Sequence, residues 1–327
     1  MAEAEKAVLE VRNLKVEFPG RRGVATALSD VSLSIRPGEI LGVVGESGAG
    51  KSMTGLAIQG LLERPGRIAD GEIWLDSRRI DKLDDRAMEK IRGREIGAIF
   101  QDPLTSLNPL FTVGSQLTET IRLHLGMGKA EARARAISLL KDVGIPSPED
   151  RVDQYPHQFS GGMRQRVVIA LALAASPKLI IADEPTTALD VSIQAQITSL
   201  LRKLCKEKRT AVMLVTHDMG VIAETADRIA VMYAGRLVEI GPVDEVLHAP
   251  QHPYTRGLMA SIPALGARVE RLNQIDGSMP RLDAIPDGCA FNPRCKQAGP
   301  RCLRERPSLV PAGAGSSACW ISAGGTA

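Results

Sequence analysis

The stretch GESGAGKS, from Gly45 to Ser52, contains residues of the types and spacing that bind phosphate. It matches the P-loop pattern G-x-x-x-x-G-K-[ST], in which backbone N–H groups cradle phosphates. In this pattern Lys51 neutralises phosphate charge and the hydroxyl of Ser52 reaches Mg²⁺. Many classes of NTPase carry a P-loop, so the motif predicts nucleotide binding without choosing among them.

A second stretch suited to phosphate is FSGGMRQR, from Phe159 to Arg166, where Ser160, Gly161 and Gly162 open a predicted helix. The free N–H groups and the dipole of a helix N-terminus favour a bound anion. The alternative is an ordinary N-cap, a position at which serine is common.

Two acidic residues follow a short apolar run in KLIIADEP. The run predicts a buried strand that ends at Asp183, whose carboxylate can organise the water shell of Mg²⁺. Glu184 comes next, so two carboxylates stand together at the end of the predicted strand. The alternative is a pair of capping residues at a strand end.

Together these stretches resemble the ATP-binding cassette (ABC) ATPases over roughly residues 8 to 245. KLIIADEP is then the Walker B motif, and FSGGMRQR is similar to the signature that contacts the nucleotide held by another cassette. One chain would thus supply half of two active sites. Phe159 stands where leucine is usual and Met163 where glutamine is usual. Because the phosphate contacts belong to the serine and the glycines, we expect activity to survive these differences.

The resemblance implies roles for three further residues. Gln101, in IFQDP, matches the Q-loop glutamine, which contacts Mg²⁺ or the attacking water. His217, in LVTHD, matches the switch histidine that contacts the γ-phosphate, and Asp190 matches the D-loop between paired cassettes. Outside this context, a loop glutamine is usually solvated and a single histidine is usually structural.

The resemblance also implies a set of nucleotide contacts. Phe18 lies upstream of the P-loop and is the candidate that stacks on adenine, with a role in the core as the alternative. The predicted catalytic residues are Glu184, His217, Lys51 and Gln101, and the predicted ligands of Mg²⁺ are Ser52, Gln101 and Asp183. The predicted ATP contacts are Phe18, Gly45, Glu46, Ser47, Gly48, Ala49, Gly50, Lys51, Ser52, Met53, Ser160, Gly161, Gly162 and Asp190.

Three stretches resemble one branch, the ATPases of oligopeptide, dipeptide and nickel importers. They are FQDPLTSLNP (100–109), HQFSGGMRQR (157–166) and HAPQHPYTRGL (248–258). In the last of them, His252 and Tyr254 could be taken for a catalytic pair. The hypothesis favoured here is structural, namely that they dock the C-terminal region onto the cassette.

Four cysteines follow with the spacing C-x5-C-x6-C-x16-C: Cys289, Cys295, Cys302 and Cys319. Four thiolates can bind tetrahedral Zn²⁺ or a four-iron–four-sulfur cluster. The spacing lacks the tight knuckles typical of structural zinc, and therefore favours the cluster. One subunit type of the importer branch is similar in carrying such a cluster. Zinc, or free or disulfide-linked thiols, are the alternatives.

Composition limits the classes of protein that fit. The 327 residues suit one large α/β domain with an appendage, and the 44% apolar content with only 3% aromatic residues predicts an aliphatic core. A net charge of +3 argues against a nucleic-acid binder. The N-terminus lacks the features of a signal peptide, and the longest apolar run is too short to cross a membrane.

Several elements must position these residues. An alternating pattern over 8–35 is typical of antiparallel strands, and a strand is predicted before the P-loop, followed by a helix from Lys51. Residues 87–144 are predicted to be largely helical, with 130–143 amphipathic, and another helix runs from Gly161. Two buried parallel strands flank a helix over 192–207, and a hairpin turns at Ala234-Gly235.

The fold class expected is therefore α/β, a P-loop ABC cassette with a mixed sheet core, an antiparallel β subdomain and a helical subdomain. We place the cassette at 1–250, its helical subdomain at about 87–175, and an irregular cysteine-rich appendix at 251–327.

The resemblance implies an ATP-hydrolysing subunit of an importer of peptides or similar small solutes, peripheral at the cytoplasmic face of the membrane. Its expected partners are a second, non-identical cassette, two permease subunits and an extracytoplasmic solute-binding protein. A homodimer is the alternative pairing. The competing functions are a soluble ABC ATPase outside transport, or an ABC ATPase regulated by redox change at its metal cluster.

Overall fold

The computed structural model describes residues 6–21, 23–187, 189–261, 274–322 and 324. Contacts along the chain divide it into two units. One, which we call the Walker B unit, consists of Ile35–Ile40, Leu75–Val215 and the described residues up to Leu9. The other, the P-loop unit, consists of Glu10–Ser34, Leu41–Trp74 and the described residues from Thr216 onward.

The strands are β1 (Leu9–Gly20), β2 (Gly23–Ile35), β3 (Ile40–Val44), β4 (Arg67–Leu75), β5 (Arg78–Arg79), β6 (Ile96–Ile99), β7 (Leu179–Asp183), β8 (Ala211–Val215), β9 (Arg228–Tyr233), β10 (Arg236–Pro242), β11 (Val310–Ala312) and β12 (Gly315–Ser317). The α-helices are α1 (Lys51–Gln59), α2 (Asp85–Glu89), α3 (Pro103–Ser106), α4 (Val113–Leu125), α5 (Lys129–Asp142), α6 (Pro148–Arg151), α7 (Gly161–Ala172), α8 (Val191–Lys208), α9 (Met219–Thr225), α10 (Val243–His248), α11 (Pro253–Ala260) and α12 (Pro300–Arg304). Short 3₁₀ helices span Pro156–Gln158 and Asn292–Arg294.

The P-loop unit contains strands of both orientations. Strands β2, β1 and β4 are neighbours in one sheet, and β11, β12, β10, β9 and β3 follow one another in a second. Strand β3 pairs with β9 in parallel, whereas the pairs β9–β10, β10–β12 and β11–β12 are antiparallel. The P-loop follows β3, every residue of which is buried, and α1 begins at Lys51, as predicted.

The turn of the β9–β10 hairpin lies at the predicted place. Ala234 and Gly235 both have positive φ, 47° and 75°, which a two-residue hairpin turn of the type I′ class requires. A Cβ atom on Gly235 would lie 2.2 Å from the carbonyl oxygen of Ala27, so glycine is needed there for packing as well as for conformation.

The Walker B unit is built on the parallel strands β8, β7 and β6, in that order. Residues 179–182 of β7 are at most 2% exposed, as expected for a parallel strand covered on both faces. Helix α8 connects β7 to β8, which confirms the predicted strand–helix–strand order. Helix α5 buries Ala132, Ala136, Leu139 and Leu140, the apolar stripe predicted for 130–143.

Two predictions about elements were too simple. Strand β6 lies within 87–144, a segment predicted to be largely helical; its four residues are too few to show alternation. The C-terminal region is not wholly irregular, because it includes α11 and the β11–β12 hairpin, which pairs with β10. The boundary near residue 250 and the helical subdomain at 87–175 stay predictions.

Within the described ranges, none of the helices has both the length and the apolar character required to cross a bilayer.

Candidate nucleotide site

The P-loop takes a backbone path that only glycine allows at several positions. Gly45, Gly48 and Gly50 have φ of 150°, 81° and 103°. A Cβ on Gly45 would lie 2.3 Å from the carbonyl oxygen of Met232, whereas nothing lies within 4 Å of one on Gly48. Gly45 is thus required for close packing, and Gly48 only for the conformation.

Lys51 is buried, with 7% of its surface exposed. Its ammonium donates to the carbonyl oxygens of Gly45 (2.8 Å) and Glu46 (3.1 Å). Helix α1 begins here with Gly50 as N-cap, no capping side chain and no acidic residue in its first turn. Ser52 is exposed in that turn and Met53 follows it. A helix N-terminus of this kind, with a lysine beside it, suits an anion such as phosphate.

In the Walker B unit, Asp183 ends β7 and Glu184 leaves the strand in the left-handed region, with φ 48°. One oxygen of the Glu184 carboxylate accepts from the side chains of Gln101 (3.0 Å) and Thr187 (2.9 Å). The structure therefore brings together two residues predicted to be catalytic, Gln101 and Glu184. Thr187 was not predicted, although it lies three residues after Glu184. Strained backbone at such a residue is typical of functional sites.

The signature residues lie at the N-terminus of α7, where Ser160 is the N-cap and accepts from the N–H of Met163 at 3.4 Å. Ser160 and Gly161 are exposed. A Cβ on Gly162 would lie 2.8 Å from the Cγ2 of Ile193, so glycine permits close approach to α8. Serine therefore caps the helix, and its two following residues leave backbone N–H groups at an exposed helix N-terminus.

Asp190 caps α8 by accepting from the N–H of Ile193 at 3.0 Å. This hydrogen bond, and that from Ser192, hold the pKa of Asp190 below its usual value. Because α7 touches Ile193, the predicted signature and D-loop residues are close together within the Walker B unit.

The two remaining candidates belong to the P-loop unit. His217 is exposed and lies just before Asp218, the N-cap of α9. Phe18 is half-buried in β1, with ring atoms that would lie 2.6–2.8 Å from a Cβ on Gly66. The close approach to Gly66 agrees with packing, and adenine stacking by Phe18 stays a prediction.

Comparison with known proteins decides the family. The family described as ABC transporter matches residues 28–187, and that described as the oligopeptide/dipeptide transporter C-terminal region matches residues 238–302. The chain is 48% identical over 304 residues, 93% of each chain, to the oligopeptide transport ATP-binding protein AppD of Bacillus subtilis (strain 168). It is 47% identical over 303 residues, again 93% of each chain, to the dipeptide transport ATP-binding protein DppD of Escherichia coli (strain K12).

This chain belongs to the ABC transporter ATP-binding proteins. Among solved structures it is similar to the cassette MJ0796 in a dimeric post-hydrolysis state bound to ADP and Pi. That match has a TM-score of 0.64 and 32% identity, and covers 72% of this chain and 98% of the other. It is also similar to cbiO1 from Clostridium perfringens, with a TM-score of 0.65, 30% identity, and coverage of 75% and 92%. The fold is therefore that of an ABC cassette, and the protein is an ATPase.

The four C-terminal cysteines of this ABC ATPase line one small cavity, together with His252 and Phe291. Burial, and then the neighbouring cysteines, raise the pKa of the Cys289 thiol to about 11; burial likewise raises that of Cys295. However, no three His, Cys, Asp or Glu side chains among the described residues are arranged to hold a metal ion. The shared cavity agrees with the predicted donor set, but the geometry does not support the predicted iron–sulfur cluster.

The sequence reasoning missed one group of contacts at the P-loop. The hydroxyl of Tyr254 accepts from the N–H of Glu46, and the guanidinium of Arg294 pairs with the Glu46 carboxylate. The stretch HPYTRGL drew attention to Tyr254 as a docking residue, and burial of its whole side chain agrees with that hypothesis. No sequence pattern drew attention to Arg294.

Proposed function

We propose that this protein is the ATP-hydrolysing subunit of a membrane importer for dipeptides, oligopeptides or related small solutes. The observation that carries the proposal is the length of the match to peptide-transport relatives. It extends over 93% of the chain, and a separate family match covers the C-terminal region. A cassette of unrelated purpose would be expected to match over the cassette alone.

In the proposed reaction, the P-loop N–H groups and Lys51 hold the phosphates of ATP. The hydroxyl of Ser52 in the P-loop unit is a hard oxygen donor of the kind that Mg²⁺ takes, and so is the carboxylate of Asp183 in the Walker B unit. When bound, Mg²⁺ neutralises charge on the phosphates. Glu184, held by Gln101 and Thr187, orients the attacking water. His217 holds the γ-phosphate through its exposed ring.

The signature and D-loop residues are proposed to act on the nucleotide of a second cassette. Ser160 and Gly161 are exposed at the N-terminus of α7, a helix of 12 residues, and Asp190 is exposed at the N-terminus of α8. This exposure supports the role. The second cassette is proposed to be a non-identical relative, and the pair to work with two permeases and an extracytoplasmic solute-binding protein. This places the chain at the cytoplasmic face of the membrane.

Two measurements test the importer assignment. Affinity purification of the tagged chain from detergent-solubilised membranes should recover permease subunits and a second cassette. In the reconstituted transporter, ATP hydrolysis should rise when solute-binding protein loaded with peptide is added. Isolation of the chain without any membrane protein, together with hydrolysis indifferent to the binding protein, would contradict transport.

The variant Glu184→Gln tests the catalytic assignment. It keeps a side chain of the same size but removes the carboxylate that orients water. We expect turnover to fall by about 10²-fold or more, with ATP binding retained. Steady-state hydrolysis and equilibrium binding of a fluorescent ATP analogue measure the two effects separately. Normal hydrolysis by Glu184→Gln would show that this carboxylate has another role.

We further propose that the four cysteines bind a four-iron–four-sulfur cluster, with their common cavity and thiol chemistry as support. Because the described side chains are not arranged as ligands around one point, the proposal rests on the shared cavity and the thiol chemistry alone, and no step of the reaction is assigned to a cluster. Anaerobically purified protein should be brown and contain iron and acid-labile sulfide. One equivalent of zinc instead would identify a zinc site. Protein that contains neither iron nor zinc would show that the thiols are free or paired.

A further inference from the structure

The P-loop residue Glu46 is held by the C-terminal region through its side chain and its backbone. Its carboxylate receives two hydrogen bonds from Arg294, at 2.9 and 3.1 Å. Its N–H donates to the hydroxyl of Tyr254 at 2.9 Å. We propose that Arg294 and Tyr254 are positioning residues of the nucleotide site, which makes the C-terminal region part of the machinery that binds ATP.

The ion pair is sheltered, with side chains 6% exposed for Arg294 and 28% exposed for Glu46. A bidentate guanidinium–carboxylate contact of this kind is both stronger and more directional than an exposed ion pair. It therefore fixes the direction of the Glu46 side chain and does more than bring two charges near each other.

Arg294 is itself restrained by further hydrogen bonds and ring contacts. Its guanidinium also donates to the hydroxyl of Tyr233 and to three backbone carbonyl oxygens, those of Asp276, Ile275 and Gly277. The central guanidinium carbon, Cζ, lies 5.8 Å from the ring centre of Tyr233 and 6.0 Å from that of Phe291. A side chain so restrained transmits any displacement of its own backbone to its partner.

Tyr254 is equally fixed, because its ring packs against two others. The ring centres of Tyr254 and Tyr233 are 4.7 Å apart, and those of Tyr254 and Phe291 are 5.4 Å apart. Tyr254 has no exposed surface. Its hydroxyl is thus a rigid acceptor for the first N–H of the P-loop after Gly45.

The link to ATP is Lys51. The carbonyl oxygen of Glu46 accepts from the Lys51 ammonium at 3.1 Å. Arg294, Tyr254 and Lys51 therefore bind three different groups of the same residue. When Arg294 is lost, Glu46 can turn, and the lysine and the neighbouring N–H groups lose the geometry that phosphate requires. Neither Arg294 nor Tyr254 needs to contact ATP.

The test compares Arg294→Met with Arg281→Met in the full chain. Arg281 lies in the same C-terminal region with its side chain 87% exposed, and is the matched control. Binding of a methylanthraniloyl-ATP analogue should weaken by about 10-fold in Arg294→Met, which corresponds to about 1.4 kcal/mol. The control should match the wild type. In the assembled transporter, the KM for ATP should rise by a similar factor, with kcat within about two-fold.

A double-mutant comparison separates positioning from general stability. If Arg294 acts through Glu46, adding Arg294→Met to Glu46→Gln should weaken binding much less than the two single effects combined. Full additivity would overturn the proposal. If circular dichroism shows that Arg294→Met does not fold, nucleotide binding by Glu46→Gln and by Tyr254→Phe becomes the test. Unchanged binding in both variants would overturn the proposal.

The inference rests on the proposed nucleotide site, so wild-type binding is measured first. Absence of ATP binding by the wild type would refute the proposed function. Normal binding by the wild type and by Arg294→Met alike would refute only the role of Arg294.

Discussion

At the scale of single residues, the P-loop glycines show that the same residue type can be needed for two different physical reasons. Gly45 and Gly48 both have positive φ, but only Gly45 lies against another backbone segment, at Met232. Replacing Gly48 adds conformational strain alone. Replacing Gly45 adds strain and a collision with the carbonyl group of Met232, which belongs to β9.

We therefore predict that Gly45→Ala lowers the free energy of unfolding by roughly 2–4 kcal/mol, from overpacking and strain together. Gly48→Ala is the matched control and should cost about 1 kcal/mol. Urea denaturation followed by circular dichroism measures both. Equal losses in the two variants would mean that the loop relaxes away from Met232.

The residue scale also shows what sequence spacing can and cannot predict about the site. Lys51 and Ser52 could be chosen because they belong to one uninterrupted motif. Arg294 is 248 positions away from Glu46, and an arginine in a loop carries no local sign of its partner. Its role depends on tertiary contacts that no periodic pattern encodes.

At the scale of elements, the predictions succeeded where a segment folds on its own pattern. Helix α1 directly follows a complete P-loop motif, and strand β7 is a continuous apolar run, so both could be predicted from local sequence. Strand β12 has the sequence GSS, with no β-branched residue, and it is a strand because β10 offers it a partner. Pairing with a neighbouring strand overrides a weak intrinsic preference for β structure. Such a strand therefore cannot be predicted from its own sequence.

Helix α11 illustrates how a buried cap makes an element sensitive to pH. His252 is the N-cap and accepts from the N–H of Tyr254 at 3.0 Å, while its own N–H donates to buried Glu239. Burial, and then the charge of Arg256, lower the pKa of His252 to about 3. The folded protein therefore keeps this ring neutral at pH values where the unfolded chain protonates it.

The pKa of His252 in the folded protein lies below its unfolded value of 6.5. The contribution of His252 to stability is therefore complete above pH 6.5 and falls as pH decreases toward 3. We predict that His252 contributes a slope of up to about 1.4 kcal/mol per pH unit in that window. His252→Asn keeps a capping acceptor and removes the titration. Urea denaturation between pH 7 and 5 should give a shallower slope for the variant; parallel slopes would contradict a buried neutral histidine.

At the scale of the whole molecule, the P-loop and the signature are proposed to serve different nucleotides. The P-loop unit contains Lys51 together with the C-terminal residues that hold Glu46. The Walker B unit contains Ser160 at the exposed N-terminus of α7. If the signature acts on the ATP of a second cassette, damage to it should spare ATP binding by the isolated chain.

We predict that Ser160→Arg leaves binding of the fluorescent ATP analogue by the isolated chain within about two-fold of the wild type, because the P-loop is intact. The same variant in the assembled transporter should lower hydrolysis by about 10²-fold, since a bulky cation replaces the helix cap beside the partner's phosphates. Lys51→Ala is the contrasting variant and should lose binding in the isolated chain as well. Equal loss of binding in Ser160→Arg and Lys51→Ala would place both motifs at one nucleotide, and the chain would then need no second cassette to complete its site.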